Sequence, residues 1–322
     1  MSKEVSETIH DLLIAGLHHH DAGDVGQARD AYLTILDLDP RHVKTLDLAG
    51  VLCMQCGESE AARDFYDAAL EIEPENSRVL THVGALQLSA GDLEEAVDTF
   101  RVAAEFDEDC GEAQFFLALG LRGLGKRLQS LEALDEALAL DGENSLFLSW
   151  RGTLAWETGD FEGAINYLEQ SVQADNNNHD ALAQLGSVFI DLEDFPIAER
   201  CFRAALDLSP DNPSYRGKLG DAFARQGRGD EARHEFKVAL EAAPNDALLL
   251  ALYSVMLAGD GEPTAAADVG EKALGLDPEN IEVHLSMLQA YQRVGDADAV
   301  ERVRTRLREL APDDARVDAV TK

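Results

Sequence analysis

From Ala297 to Leu310 the chain reads A-D-A-V-E-R-V-R-T-R-L-R-E-L. Val300, Val303, Leu307 and Leu310 fall on one face of a helix, and Glu301, Arg302, Arg304 and Arg308 lie largely elsewhere. Runs of about a dozen residues with this apolar spacing recur along the whole sequence, two to a period. Between the two runs of a period stands a glycine, as in A-G-D (22–24 and 90–92) and T-G-D (158–160). It ends the first helix and permits a tight turn, and the acidic residue that often follows can cap the second helix. After the second run comes a proline, as in D-P-R-H, E-P-E-N, S-P-D-N and D-P-E-N, which stops that helix and opens the next period.

The period is 34 residues. Pro40, Pro74, Pro210, Pro244, Pro278 and Pro312 all stand at multiples of 34 from one another, with Glu108, Gly142 and Asn176 in the intervening slots. Gly16, Gly50, Gly84, Gly152, Gly186 and Gly220 form a second column, with Ala118 in its gap. The turn glycines Gly23, Gly57, Gly91, Gly125, Gly159, Gly227, Gly261 and Gly295 form a third, from which only Glu193 departs. Ala28, Ala62, Ala96, Ala164, Ala198, Ala232 and Ala266 share a fourth, and Tyr32, Tyr66, Phe100, Phe202 and Phe236 a fifth. The spacing predicts that the small residue of the first helix admits the second helix of its own unit, and that the alanine of the second helix admits the next unit.

These columns resemble the tetratricopeptide (TPR) repeat, whose pattern is L-G-x-x-Y followed by Ala, an aromatic and Pro at fixed offsets. Nine in-register units cover 9–42, 43–76, 77–110, 111–144, 145–178, 179–212, 213–246, 247–280 and 281–314, with 1–8 extending the first helix and 315–322 left as a tail. Units two, three, six and seven fit best. The eighth and ninth decay, with Gly270 and Arg304 in the aromatic column and Leu288 in the glycine column, as expected where an outer face meets water. The resemblance implies an all-α, right-handed superhelical solenoid whose first helices line a concave face through positions 2, 5, 6, 9, 12 and 13 of each unit.

Composition narrows the possible partners. The formal net charge is −35, with 62 acidic against 27 basic residues, and no lysine–arginine cluster interrupts it. Nucleic acid and anionic membrane surfaces are therefore disfavoured, and the acidity reads as solubility. Hydrophobic residues make up 45% of the chain, enough for a core, while aromatics are only 6%. No run of 18 apolar residues offers a membrane span, and M-S-K-E-V-S-E-T-I-H lacks the apolar region of a secretory signal, so a cytoplasmic location is expected.

Chemistry-bearing motifs are scarce. L-C-M-Q-C-G at Leu52–Gly57 holds a C-x-x-C pair, and His18, His19 and His20 lie one repeat earlier. A soft metal bridging His19 to Cys53 and Cys56 is the functional alternative. The simpler reading makes both thiols small hydrophobes in a helical interface, since Cys53 shares a packing column with Leu121, Phe189, Phe223, Leu257 and Tyr291. No second C-x-x-C completes a zinc set. The chain has no G-x-S-x-G, Walker-type, Rossmann or H-E-x-x-H motif, and G-L-R-G-L-G-K at Gly120–Lys126 has no preceding strand. Neither an enzyme nor a cofactor is implied.

The resemblance implies a scaffold or adaptor that docks a protein or peptide in its groove. Two family modes are disfavoured: Lys44 and Arg78 have no Asn partners for a terminal carboxylate, and position 6 holds no Asn ladder. The candidate binding patch is Phe115, Phe116, Leu119, Trp150 and Trp156, with Arg122 beside it and Lys218 further along. Aromatics beside a guanidinium dominate binding hot spots. Asp47, Glu112, Glu157, Asp180, Asp191 and Asp221 also fall on the expected groove, with Lys218 and Arg225 as exceptions. A peptide with apolar anchors and basic flanks complements such a surface. Self-assembly into a homo-oligomer is the second reading of the same fold.

Overall fold

The computed structural model describes residues 3–312 together with 314, 316, 317 and 319. These residues form eighteen helices and, among the described residues, no strand. First helices are α1 (Lys3–Asp21), α3 (Val43–Gln55), α5 (Ser77–Ala90), α7 (Gly111–Gly123), α9 (Ser145–Glu157), α11 (His179–Asp191), α13 (Pro213–Arg225), α15 (Ala247–Gly259) and α17 (Ile281–Val294). Second helices are α2 (Val25–Leu38), α4 (Ser59–Leu70), α6 (Leu93–Phe106), α8 (Arg127–Leu140), α10 (Phe161–Ala174), α12 (Phe195–Leu208), α14 (Gly229–Ala242), α16 (Pro263–Leu276) and α18 (Ala297–Leu310). Each first helix packs on the second helix of its own hairpin. The chain divides into two compact units, Met1–Gly142 with α1–α8 and Glu143–Lys322 with α9–α18. Each is an α-helical repeat solenoid in its own right. Of the N-terminal extension, residues 1 and 2 lie outside the described residues, as does most of 315–322.

The turn glycines take a left-handed backbone, with φ between 73° and 87° at all eight. At Gly57 the geometry is that of a Schellman stop: the Gly57 N–H donates to the Met54 carbonyl at 3.0 Å and the Glu58 N–H to the Cys53 carbonyl at 2.9 Å. Glu193, the exception in the sequence column, adopts the same turn with φ 60° and the same two bonds, to Ile190 and Phe189. The fold dictates the turn, and a side chain is forced into a conformation that glycine enters freely.

Helix ends owe less to proline than the sequence suggests. α6, α8 and α10 stop at the same place as α2, α12, α14 and α16 although Glu108, Gly142 and Asn176 replace the proline. The residue after each is an Asp; Asp107 after α6 and Asp175 after α10 accept the N–H two residues on in an Asx turn, as Asp39 does beside Pro40. The residue two after the proline slot carries a second unexpected role. Asn76, Asn144, Asn178, Asn212, Asp246 and Asn280 all N-cap first helices through their side-chain oxygens. At the second helices, Asp160, Asp194 and Asp296 cap as expected, while Asp24 and Asp92 make no side-chain cap bond.

The small-to-large pairing inside each hairpin holds closely. A Cβ on Gly84 would stand 2.5 Å from Phe100, and one on Gly186 2.6 Å from Phe202. Both rings are essentially fully buried. The alanine column differs from the expectation. Ser130, its variant member, donates to the Ala118 carbonyl at 2.7 Å, and a Cβ on Gly152 or Gly220 would meet the carbonyl of Ala164 or Ala232. Alanine is therefore needed against its own first helix, where the two backbones come closest, and not only against the next unit. In the eighth repeat Ser254 donates to the Ala266 carbonyl at 2.7 Å, and Met287 from the ninth repeat takes the room that Gly270 leaves.

Candidate docking face on the first helices

In the Met1–Gly142 unit the aromatic residues of α7 lie against α6. Phe116 stacks on Phe100 with ring centroids 5.6 Å apart and planes 12° apart, and Phe115 meets Phe116 edge-on at 5.4 Å. Phe115 is buried, so it packs; Phe116, Leu119 and Arg122 keep partial exposure on the same helix. Two repeats earlier a buried carboxylate organises the first helices. Asp47 on α3 takes the Nδ1 of His82 at 2.5 Å and Nε of Arg78 at 3.1 Å, both from α5, while His82 stacks on Tyr66 at 5.9 Å. Arg78, a position-2 candidate, is thus engaged within the chain.

The histidine and cysteine residues separate. His20 pairs with the Tyr32 hydroxyl at 3.1 Å and with Gln55 Oε1 at 2.9 Å, and His19 Nδ1 lies 3.6 Å from Asp24. Cys53 is buried with Leu46, Tyr66 and Val79, and burial pushes its thiol pKa up. Cys56 is exposed, contrary to the interface expected for it, because it is the C-cap of α3, one residue before the Schellman glycine. Among the described residues no group of three or more His, Cys, Asp or Glu gathers as a metal set.

In the Glu143–Lys322 unit the first-helix face is a polar network spanning repeats. Ser149 and Thr153 of α9 both donate to Gln184 Oε1 of α11, at 3.0 and 2.8 Å. Trp156 Nε1 donates to Asp191 Oδ2 at 2.8 Å. Lys218 Nζ of α13 donates to Ser187 Oγ at 3.1 Å. Tyr215 donates to Asp180, and its oxygen also lies 2.8 Å from His179 Nδ1. Arg225 donates through Nε to Asp221 at 2.9 Å and through Nη2 to Gln289 of α17, also at 2.9 Å. This last bond joins side chains 64 residues apart, across two repeats.

Electrostatics on this face follow from desolvation. Burial pushes the Lys218 ammonium below the ordinary lysine range, although Glu282 and Asp180 act to hold its proton. Burial likewise raises the Asp191 carboxyl above the usual range, partly offset by the Trp156 hydrogen bond and the positive charge of Arg316. Arg316, from the segment after α18, reaches into the same face. Its guanidinium carbon stands 4.6 Å over the Trp156 ring, and Nη1 donates to Glu282 Oε1 at 2.6 Å.

Of the residues singled out from sequence, Trp156 and Lys218 thus belong to the polar face of one unit. Phe115 and Phe116 join the aromatic stack of the other. Trp150, half-buried on α9, belongs to the second unit and Phe116 to the first. Sequence reasoning did not find Arg316, Glu282 or Gln289. Glu282 occupies position 2 of its repeat and Gln289 position 9, so the groove positions held a signal for both; Arg316 lies beyond the last unit and had none.

Models of the tetratricopeptide repeat match residues 13–77, 57–109, 115–179, 184–247 and 230–281, and a second model of the same repeat matches 257–322. The chain belongs to the tetratricopeptide-repeat family. Anaphase-promoting complex subunit 7 of Arabidopsis thaliana is 26% identical over 167 residues, 51% of this chain and 30% of that protein. The chain thus spans less than a third of that relative. Among solved structures, the APC/C hetero-tetramer Cut9-Hcn1 superposes with a TM-score of 0.66 at 20% identity, covering 83% of this chain and 52% of the matched one. A tetratricopeptide repeat protein from Parabacteroides merdae gives a TM-score of 0.58 at 15% identity over 88% of this chain and 99% of its own. These likenesses show the fold, an all-α repeat solenoid.

Proposed function

We propose that the chain is an adaptor that holds a partner protein by an extended or helical segment laid along its first helices, without catalysing a reaction. The supporting observation is how the two sorts of helix use their side chains. Second helices bury a narrow stripe, such as Ala198, Cys201, Phe202 and Ala205 of α12, and turn charge outward. First helices of the Glu143–Lys322 unit instead hold hydroxyl, amide, carboxylate, guanidinium and indole groups partly out of water, bonded from repeat to repeat. Preformed polar groups beside half-buried aromatics are what orient and anchor a docked chain.

The relative named for a subunit of a larger assembly works alongside other chains by that name, and we extend to this protein the mode and not the partner. A segment with apolar anchors and basic flanks fits a face that carries Asp180, Asp191 and Glu282. Capture from the source organism's lysate by the wild-type chain, followed by hydrogen exchange on the purified complex, tests this. Protection on α9, α11 and α13, together with loss of capture by Trp150→Ala/Lys218→Ala that still folds by circular dichroism, is expected. A footprint confined to the second helices refutes groove docking.

A further inference from the structure

Among the described residues, Arg316 is the one cation on the inner face of the Glu143–Lys322 unit that comes from outside the repeats. Its guanidinium lies over the Trp156 ring at 4.6 Å, a cation–π distance, and is 11% exposed. Nη1 donates to Glu282 at 2.6 Å, while Nε and Nη2 donate to the two oxygens of Asp314 at 3.2 and 2.9 Å. The Arg316 backbone N–H also donates to Asp314 Oδ1 at 2.9 Å, so Asp314 and Arg316 form one compact unit. Next to it, Val317 is buried among Val283, Met287 and Leu288.

The groups that receive the guanidinium come from three repeats. Trp156 lies in the last turn of α9, Asp191 ends α11 and fixes the indole by accepting its N–H at 2.8 Å, and Glu282 lies in the first turn of α17. Covering the apolar end of the solenoid falls, among the described residues after α18, to Ala311 and Val317. It does not call for a guanidinium placed on a tryptophan 160 residues earlier in the chain. An aromatic face with one indole hydrogen-bonded into place and a carboxylate at its edge is the chemistry that reads arginine in preference to lysine.

We propose that Trp156, Asp191 and Glu282 form an arginine-reading site, filled in this chain by its own Arg316, and that it takes in exchange an arginine of a partner segment carrying a carboxylate two residues before it. The proposal deepens the docking reading above by naming the residue that the inner face recognises, and it rests on that reading. Charge supports it: the face around the site carries Asp180, Asp191 and Glu282, and Lys218 there bonds to Ser187. The intramolecular arginine holds the site at high effective concentration, so a partner binds only by displacing it.

The test uses the full chain with Trp150→Phe, leaving Trp156 as its only tryptophan. The probe is a synthetic peptide of residues 311–322, A-P-D-D-A-R-V-D-A-V-T-K, and a second copy in which citrulline, neutral but nearly the same shape, replaces the arginine. In the Arg316→Gln chain the arginine peptide should change Trp156 emission saturably. The citrulline peptide should bind about ten- to a hundredfold more weakly, because it lacks the charge behind both contacts. The chain that keeps Arg316 should need about tenfold more arginine peptide. Adding Glu282→Gln to Arg316→Gln should weaken the arginine peptide alone, which guards against misreading a variant that folds poorly.

Equal binding of the two peptides, or no binding by the Arg316→Gln chain at millimolar peptide, makes the segment a structural strap and overturns the proposal. A captured partner that protects the first helices while the peptides fail to discriminate sinks the arginine site and leaves the adaptor reading standing. A footprint on the second helices sinks both.

Discussion

The Gly84–Phe100 contact gives the sharpest test of why these columns exist. A methyl group on Gly84 would stand 2.5 Å from Phe100 Cε1 and 2.7 Å from Cδ1. The ring cannot yield, because it is fully buried and backed by the stacked ring of Phe116 at 5.6 Å. Overpacking of this kind costs about 1–3 kcal/mol, while replacing a mid-helix glycine by alanine contributes about 0.8–1 kcal/mol in the other direction. Gly84→Ala should therefore destabilise its hairpin by about 1 kcal/mol. Phe100→Leu removes the ring and its stacking on Phe116, a loss of about 2 kcal/mol. In that background the clash is gone, and Gly84→Ala should stabilise by up to about 1 kcal/mol. The fourth repeat already carries such a pair in Ala118 and Leu134, with Ser130 bonded to the Ala118 carbonyl. Because a repeat array opens in segments, the readout is hydrogen exchange of the α5 and α6 amides rather than a single global melt. Gly84→Ala should speed exchange about fivefold in the wild-type chain and slow it in Phe100→Leu, since about 1.4 kcal/mol corresponds to tenfold. The same sign in both backgrounds would show that the glycine is not there to admit the ring.

Four further outcomes follow from single residues. Glu193→Gly places glycine at φ 60° and should stabilise the sixth repeat by about 0.5–1 kcal/mol, read as slower exchange at the α11–α12 turn; no change would mean the turn holds no strain. Asn212→Ala removes the oxygen that accepts the Ser214 and Tyr215 N–H groups and should cost about 1 kcal/mol, read in the exchange of the first turn of α13. Lys218→Met removes a desolvated ammonium and should stabilise the seventh repeat at neutral pH by about 1 kcal/mol, read as about fivefold slower exchange of the α13 amides. The sign also sets the pH dependence. The folded pKa is depressed, so the unfolded chain binds more protons and the wild type gains stability as pH rises through that pKa toward the ordinary lysine value. The advantage of Lys218→Met should shrink over that window, and an advantage that grows with pH refutes the assignment.

The columns were legible because each one satisfies a constraint local to a single hairpin. A turn needs a left-handed residue, a crossing needs a small residue facing a ring, and both recur every 34 positions. Glu193 breaks the sequence column and keeps the turn, which shows that the hairpin imposes the conformation. The helix caps were hidden in plain text: the Asn of E-P-E-N and S-P-D-N was read as part of a proline stop, although its oxygen starts the next helix. Cys56 misled because a column average says little about a helix end, where the last residue turns to solvent.

On the docking reading proposed above, function lies in the contacts that the period does not govern. Asp191 and Gln289 are unremarkable members of their columns until Trp156 and Arg225 reach them from other repeats. The Arg225–Gln289 bond closes across two repeats, and the Arg316–Trp156 stack across four. Neither pairing leaves a trace at 34 residues, since it depends on how neighbouring hairpins are tilted and on a segment outside the repeat. Repetition fixes the scaffold by making every hairpin alike. A partner can be told from its competitors only by residues that make the hairpins differ, so the inner-face positions with the least column identity are where specificity must sit. On that argument Trp150, Gln184 and Lys218, three dissimilar residues at one position of successive repeats, are better places to alter partner choice than any residue of the glycine or aromatic columns.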